Sequence, residues 1–144
     1  MKILVINGPN INMLGIREKS IYGEGSFEAL QNFILSVCDE NDIMCELFQS
    51  NHEGAIVDKI QQAYGNFDAI VINPAAYTHT SIAILDALKA VSIPCAEVHL
   101  SDIYKREEFR HMSYVSLVAQ KTFCGMGFDG YKNAIEFLKD YCKK

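Results

Sequence analysis

Short apolar runs rich in β-branched residues alternate along the chain with segments of helical period, and no other feature narrows the fold as much. Ile3-Leu4-Val5-Ile6, Ala69-Ile70-Val71-Ile72 and the run opening at Cys95-Ala96 are continuously apolar instead of alternating in and out. That pattern belongs to parallel strands covered by helices on both faces. Strands are predicted near 2–7, 43–49, 69–73, 95–100 and 121–124. Between them, Phe27, Leu30, Ile34, Val37 and Cys38 make one helical stripe. Ile56, Val57, Ile60 and Ala63 make a second, and Ile82, Leu85, Leu88 and Val91 a third. A last helix is predicted from about Tyr131, with Ala134, Ile135, Leu138 and Tyr141 inward.

Five strands with right-handed crossovers fit an α/β, flavodoxin-like three-layer fold, a parallel sheet of order 2-1-3-4-5 with helices on both faces. At 144 residues and 49% hydrophobic, the chain suits a single globular domain spanning 1–144, and no linker, repeat or low-complexity tract divides it. In that order the segments 10–22, 73–79 and 97–101, which follow the first, third and fourth strands, converge on one crevice. Ligands of open parallel sheets bind there.

Each strand end carries unusual polar chemistry. The first runs into Asn7-Gly8-Pro9-Asn10, the third into Asn73-Pro74, and the fourth into Glu97-Val98-His99-Leu100-Ser101. Glu97 and His99, two apart on a strand, leave the same face, so their contact is geometrically easy. A carboxylate beside an imidazole fixes its tautomer and favours its protonated form, which suits a general acid serving a leaving hydroxyl. Downstream, the Leu100 and Ser101 N–H groups are placed to receive an anion as the chain turns toward a short helix expected over 102–107. Arg106 and Arg110, four apart, share a face if that helix continues, and either clamp a carboxylate or brace Glu97. Asn73 stands where a phosphoacceptor carboxylate would sit on this fold and, as an amide, can only hold an oxyanion or a neutral group.

The segment between Gly15 and Gly25 reads as a lid carrying Arg17, Lys19 and Tyr22. Free tyrosine has a pKa of ~10, so only about 0.1% is phenolate at pH 7, and a tyrosine base needs an adjacent cation. Arg17 is the candidate. Lowering the pKa by ~2 to 3 units takes roughly 3 to 4 kcal/mol, within reach of a desolvated charge contact. Each of these groupings also has a plain structural reading, as a surface loop, a strand-end ion pair or two solvated arginines.

Charge and composition restrict partners. A net charge of −5 and a pI near 5.3 argue against nucleic acid and against a polybasic membrane surface. Yet the three arginines lie in two short stretches, which favours a built site for a small anionic substrate. Five cysteines without a CxxC pair, no leader-like segment and no run near ~18 apolar residues suit a cytoplasmic chain whose thiols pack in the interior. Neither GxGxxG, a P-loop nor HExxH is present, and His52, His79, His99 and His111 lack metal-ligand spacing. No metal or other cofactor is expected.

Six stretches together resemble one family, the type II 3-dehydroquinate dehydratases. They are Ile6 to Asn10 with Leu14-Gly15 and Arg17-Glu18; Ile21-Tyr22-Gly23; Phe48 to Gly54; Asn73 to Thr80; Glu97 to Ser101; and Arg106-Glu107 with Phe109-Arg110-His111. The resemblance implies a hydro-lyase that dehydrates 3-dehydroquinate to 3-dehydroshikimate by anti elimination through an enolate. That is the third step of the shikimate pathway, leading to aromatic amino acids, or a step of quinate catabolism. It implies Tyr22 as the base, favoured as phenolate by Arg17. His99, oriented by Glu97, is then the acid, and Asn10 and Asn73 act near the developing enolate. His79, Arg110 and the Leu100 and Ser101 backbone contact the substrate, and Asp86 completes the pocket from a neighbouring subunit. It also implies a homododecamer, a tetramer of trimers. The alternative on the same fold is a flavin-binding or phosphoacceptor module without lyase activity.

Overall fold

The structure is a computed structural model and describes residues 1–16 and 25–144. Strands β1 (Lys2–Asn7), β2 (Met44–Gln49), β3 (Ala69–Asn73), β4 (Cys95–His99) and β5 (Lys121–Cys124) form one parallel sheet of order β2-β1-β3-β4-β5. The expected order and strand limits hold to within one residue. Four α-helices are described: α1 (Phe27–Glu40), α2 (Glu53–Ala63), α3 (Ile82–Val91) and α4 (Asp129–Cys142). Side chains along β1 alternate between two apolar layers. Ile3 and Val5 pack with Leu30 and Ile34 of α1 and Ala134, Ile135 and Leu138 of α4. Leu4 and Ile6 pack with Ile56 and Ile60 of α2 and Ile84 and Leu88 of α3. Every residue of β3 and β4 is buried, whereas β2 and β5 at the edges are only partly so.

Ser26 caps α1 by accepting from the Ala29 N–H at 3.0 Å, and Ser81 caps α3 by accepting from the Ile84 N–H at 3.0 Å. Such a side-chain oxygen is worth about 1 kcal/mol against alanine.

Two residues of the expected inward stripes face solvent. Ile82 opens α3 about 200° around the helix from Ile84, so it lies opposite the buried stripe. Tyr141, in the last turn of α4, instead lays its ring against Phe137 at 5.7 Å, away from the sheet. Cys38 and Cys95 are buried and Cys45 and Cys124 half-buried, in keeping with packing, but Cys142 is exposed. Among the described residues no helix is long and apolar enough to cross a membrane.

Candidate active site

The chain reverses direction across the sheet between β1 and β3, and their carboxyl ends are locked together. Asn7 and Asn73 are register partners, and the Gly8 N–H donates to the Asn73 carbonyl at 2.8 Å. A β-carbon at Gly8 would lie 2.4 Å from the Pro74 carbonyl oxygen, so only glycine permits this crossing. Asn10 follows with φ 68°, a left-handed conformation that asparagine tolerates. Asn51 holds it there, since its Oδ1 accepts from the Asn10 N–H at 3.0 Å. Gln49 Nε2 donates to the Gly8 carbonyl at 3.1 Å and to Asn51 Oδ1 at 3.2 Å, and the Tyr77 hydroxyl donates to the Asn51 carbonyl at 2.7 Å. The stretch after β2 is thereby a brace for the loop after β1.

On β4, Glu97 is fully buried and His99 almost so, and His99 Nε2 donates to Glu97 Oε1 at 2.6 Å. Hydroxyls surround the rest of the carboxylate. Thr78 Oγ1 (2.7 Å) and Ser113 Oγ donate to Oε1, while Thr122 Oγ1 (2.9 Å) and Ser116 Oγ donate to Oε2. Burial pushes the Glu97 carboxyl pKa upward, but the hydrogen bond and charge of His99 and the Ser113 and Ser116 hydroxyls outweigh it, and the value falls to about 2. Glu97 is a fixed anion at neutral pH. With Nε2–H given to Glu97, Nδ1 is the His99 nitrogen left to serve a ligand.

His79 points its chemistry the other way. Its Nδ1 lies 2.7 Å from the Met112 carbonyl, which can only accept, so Nδ1 carries the proton and Nε2 is an acceptor. Burial lowers the His79 pKa, and the charges of His99, Arg110 and Arg106 add to this against the opposing Met112 hydrogen bond. The ring is neutral at pH 7. Arg110 Nε donates to Glu107 Oε2 at 2.8 Å and its guanidinium lies 5.1 Å from the Phe109 ring centre. These contacts orient it and leave its Nη groups for an anion.

Asn10, Asn73, His79, His99, Leu100, Ser101, Arg106 and Arg110 line a single cavity of about 140 Å³, with no acidic side chain among the described lining residues. The described parts of the strand-end segments therefore converge as expected. The two arginines arrive by a different route from the one expected. The chain forms separate 3-10 turns at Ile103–Lys105 and Glu108–Arg110, with Arg106 extended between them, so no common helical face exists. Asp86 is exposed on α3 and lies outside this cavity's described lining. Arg17 and Tyr22 lie outside the described residues. No cluster of three His, Cys, Asp or Glu side chains able to hold a metal occurs among the described residues.

The hydroxyl ring was not singled out from the sequence, nor were Asn51 and Tyr131. Thr122 had a signal of sorts, because the β4–β5 register sets it directly opposite Glu97. Ser113 and Ser116 lie three apart in one turn, where the Ser113 Oγ accepts from the Ser116 N–H at 3.2 Å, and Thr78 comes from another.

Fold and cavity define a flavodoxin-like α/β protein with two arginines and an imidazole–carboxylate pair at one strand-end cavity. The family model for dehydroquinase class II matches residues 1–139. The 3-dehydroquinate dehydratase of Clostridium acetobutylicum is 54% identical over 144 residues, covering 100% of both chains. That of Haemophilus influenzae is 50% identical over 143 residues, covering 99% of this chain and 96% of its own. The crystal structure of the type II dehydroquinase from Butyrivibrio crossotus superposes with a TM-score of 0.95 at 57% identity, over 96% of this chain and 97% of that one. The chain belongs to the class II dehydroquinase family.

Proposed function

We infer that this chain is a hydro-lyase that converts 3-dehydroquinate to 3-dehydroshikimate and water, within the shikimate pathway. The observation that carries the reading is the buried Glu97–His99 pair, 2.6 Å apart, opening on a cavity with two arginines and two asparagines in a chain of this family. The Tyr22 phenolate, favoured by Arg17, removes the axial proton beside the ketone, and the C–H electron pair becomes the enolate. Asn10 and Asn73 stabilise the enolate oxygen or a water bound to it, an oxyanion-type contribution. The enolate then expels the tertiary hydroxyl, which leaves as water on taking the His99 proton, and the carbon–carbon double bond forms. Glu97 supports this by keeping the imidazole oriented and setting a fixed anion beside it. Arg110, the Leu100 and Ser101 N–H groups and His79 Nε2 hold the substrate carboxylate and hydroxyls. The proton balance closes on water and the two side chains, so the scheme uses no cofactor.

The product is a conjugated enone, so ultraviolet absorbance rises when the dehydroquinate is added to folded protein treated with chelator. No rise overturns the reading. Borohydride together with substrate leaves activity intact, because no lysine Schiff base forms.

The working unit is proposed as a cytoplasmic homododecamer, four trimers of one catalytic domain spanning 1–144, with Asp86 reaching the cavity of a neighbouring copy. This gives the exposed Asp86 on α3 a role. Light scattering on the purified protein is expected to give twelve times the mass of the 16.2 kDa chain. A monomer or dimer with full activity would remove both the assembly and the role of Asp86.

A further inference from the structure

Behind the cavity wall, one hydroxyl joins the ends of the two central strands. Tyr131, in the first turn of α4, is fully buried; its hydroxyl donates to Asn7 Oδ1 at 2.7 Å and accepts from Asn73 Nδ2 at 2.9 Å. The opposite end of the Asn73 amide is also held, because Oδ1 accepts from the Ala75 N–H at 3.1 Å. A phenol has a single proton. With that proton given to Asn7, the tyrosine oxygen can only accept from Asn73, and the Ala75 N–H in turn requires the amide oxygen on its own side. Turning the amide over would set oxygen against oxygen at Tyr131 and N–H against N–H at Ala75. Burial raises the Tyr131 pKa, so the hydroxyl stays neutral and keeps its donor.

We propose that Tyr131 is a positioning residue that fixes the Asn73 amide so that its second N–H, and not its carbonyl oxygen, serves the reaction cavity. The inference rests on the reading of Asn73 as an enolate-stabilising donor. An enolate oxygen needs a donor opposite it, and an amide in the reverse orientation would present a lone pair and repel the charge. The arrangement explains why two asparagines end adjacent strands in register. Asn73 lines the cavity, while Asn7 consumes the tyrosine proton.

Tyr131→Phe keeps the ring and removes the hydroxyl. It is expected to lower kcat about tenfold, with KM changed by no more than about twofold, the signature of a contact made in the transition state. Asn7→Ala provides a second route, because it releases the Tyr131 proton to point at Asn73 and leaves the Ala75 N–H alone to oppose the reversed amide; it is expected to lower kcat in the same direction. In an Asn73→Ala background, Tyr131→Phe should cost nothing further in kcat, since there is no amide left to orient. Circular dichroism and thermal unfolding establish the folded fraction to which each kcat refers. The proposal is overturned if the folded Tyr131→Phe and Asn7→Ala proteins both keep parental kcat, or if Tyr131→Phe lowers kcat equally with and without Asn73. Should Asn73→Ala itself keep parental kcat, the donor reading of Asn73 falls and Tyr131 loses its role with it, an outcome distinct from additivity.

Discussion

His99→Ala is expected to lower kcat at least about 100-fold while the protein remains folded, because it removes the acid that the buried Glu97 positions. The four hydroxyls that donate to Glu97 stay in place, so the carboxylate keeps partners and the fold keeps most of its stability. KM should move much less than kcat, since proton delivery to the departing hydroxyl belongs to the transition state and not to substrate binding. His79 cannot take over. Its Nδ1 proton is engaged by the Met112 carbonyl, and burial together with neighbouring positive charge keeps the ring neutral, so it offers an acceptor where an acid is needed. Initial rates of enone formation measure the loss. If turnover in His99→Ala stays within a few-fold of the parent, the acid lies elsewhere and the Glu97–His99 pair is structural.

The parts of this site that were legible in the sequence are those that depend on periodicity and chain order. A continuous apolar run predicts a doubly covered strand, and strand order then brings Asn10, Asn73 and His99 to one crevice, as observed. The two-residue spacing of Glu97 and His99 sufficed to predict their contact, because strand geometry alone sets it. What escaped the sequence depends on turns. Arg106 and Arg110 line the same cavity, but the helix expected to pair them is two 3-10 turns with an extended residue between, a local conformation that spacing does not encode. Thr78, Ser113, Ser116 and Thr122 are ordinary small polar residues on three segments, and only the folded chain gathers their hydroxyls on one carboxylate. Asn51 and Gln49 stood in a stretch that carried the family resemblance without a stated purpose. Their hydrogen bonds to Asn10 and Gly8 supply one, holding a left-handed asparagine against the cavity.

Glu97 is the residue whose removal should cost the fold most, and two substitutions separate its structural work from its chemical work. Glu97→Ala leaves a void and withdraws the acceptor from five donors, and breaking a buried ion pair from one side typically costs about 3–5 kcal/mol. Against a total stability of roughly 5–15 kcal/mol, this should produce a large fall in unfolding midpoint in denaturant. The hydroxyls can recover part of the loss by bonding one another, since Thr78 Oγ1 and Ser113 Oγ are already 2.7 Å apart. Glu97→Gln keeps the volume, and rotatable hydroxyls can turn to accept from the new amide, so the expected cost is only about 1–2 kcal/mol. Its kcat should nevertheless fall at least about tenfold, because a neutral amide replaces the anion that holds the imidazole in place for proton delivery. The pH dependence adds an independent sign. The carboxyl is held down to about 2 in the folded chain from an ordinary 4.5, so its stabilisation is complete above pH 4.5 and is lost as pH falls toward 2. The stability gap between the parent and Glu97→Gln should therefore close as pH falls below 4.5. A gap that instead widens with acid, or a Glu97→Gln protein with parental kcat, would mean that the buried carboxylate neither carries the charge assigned to it nor serves His99.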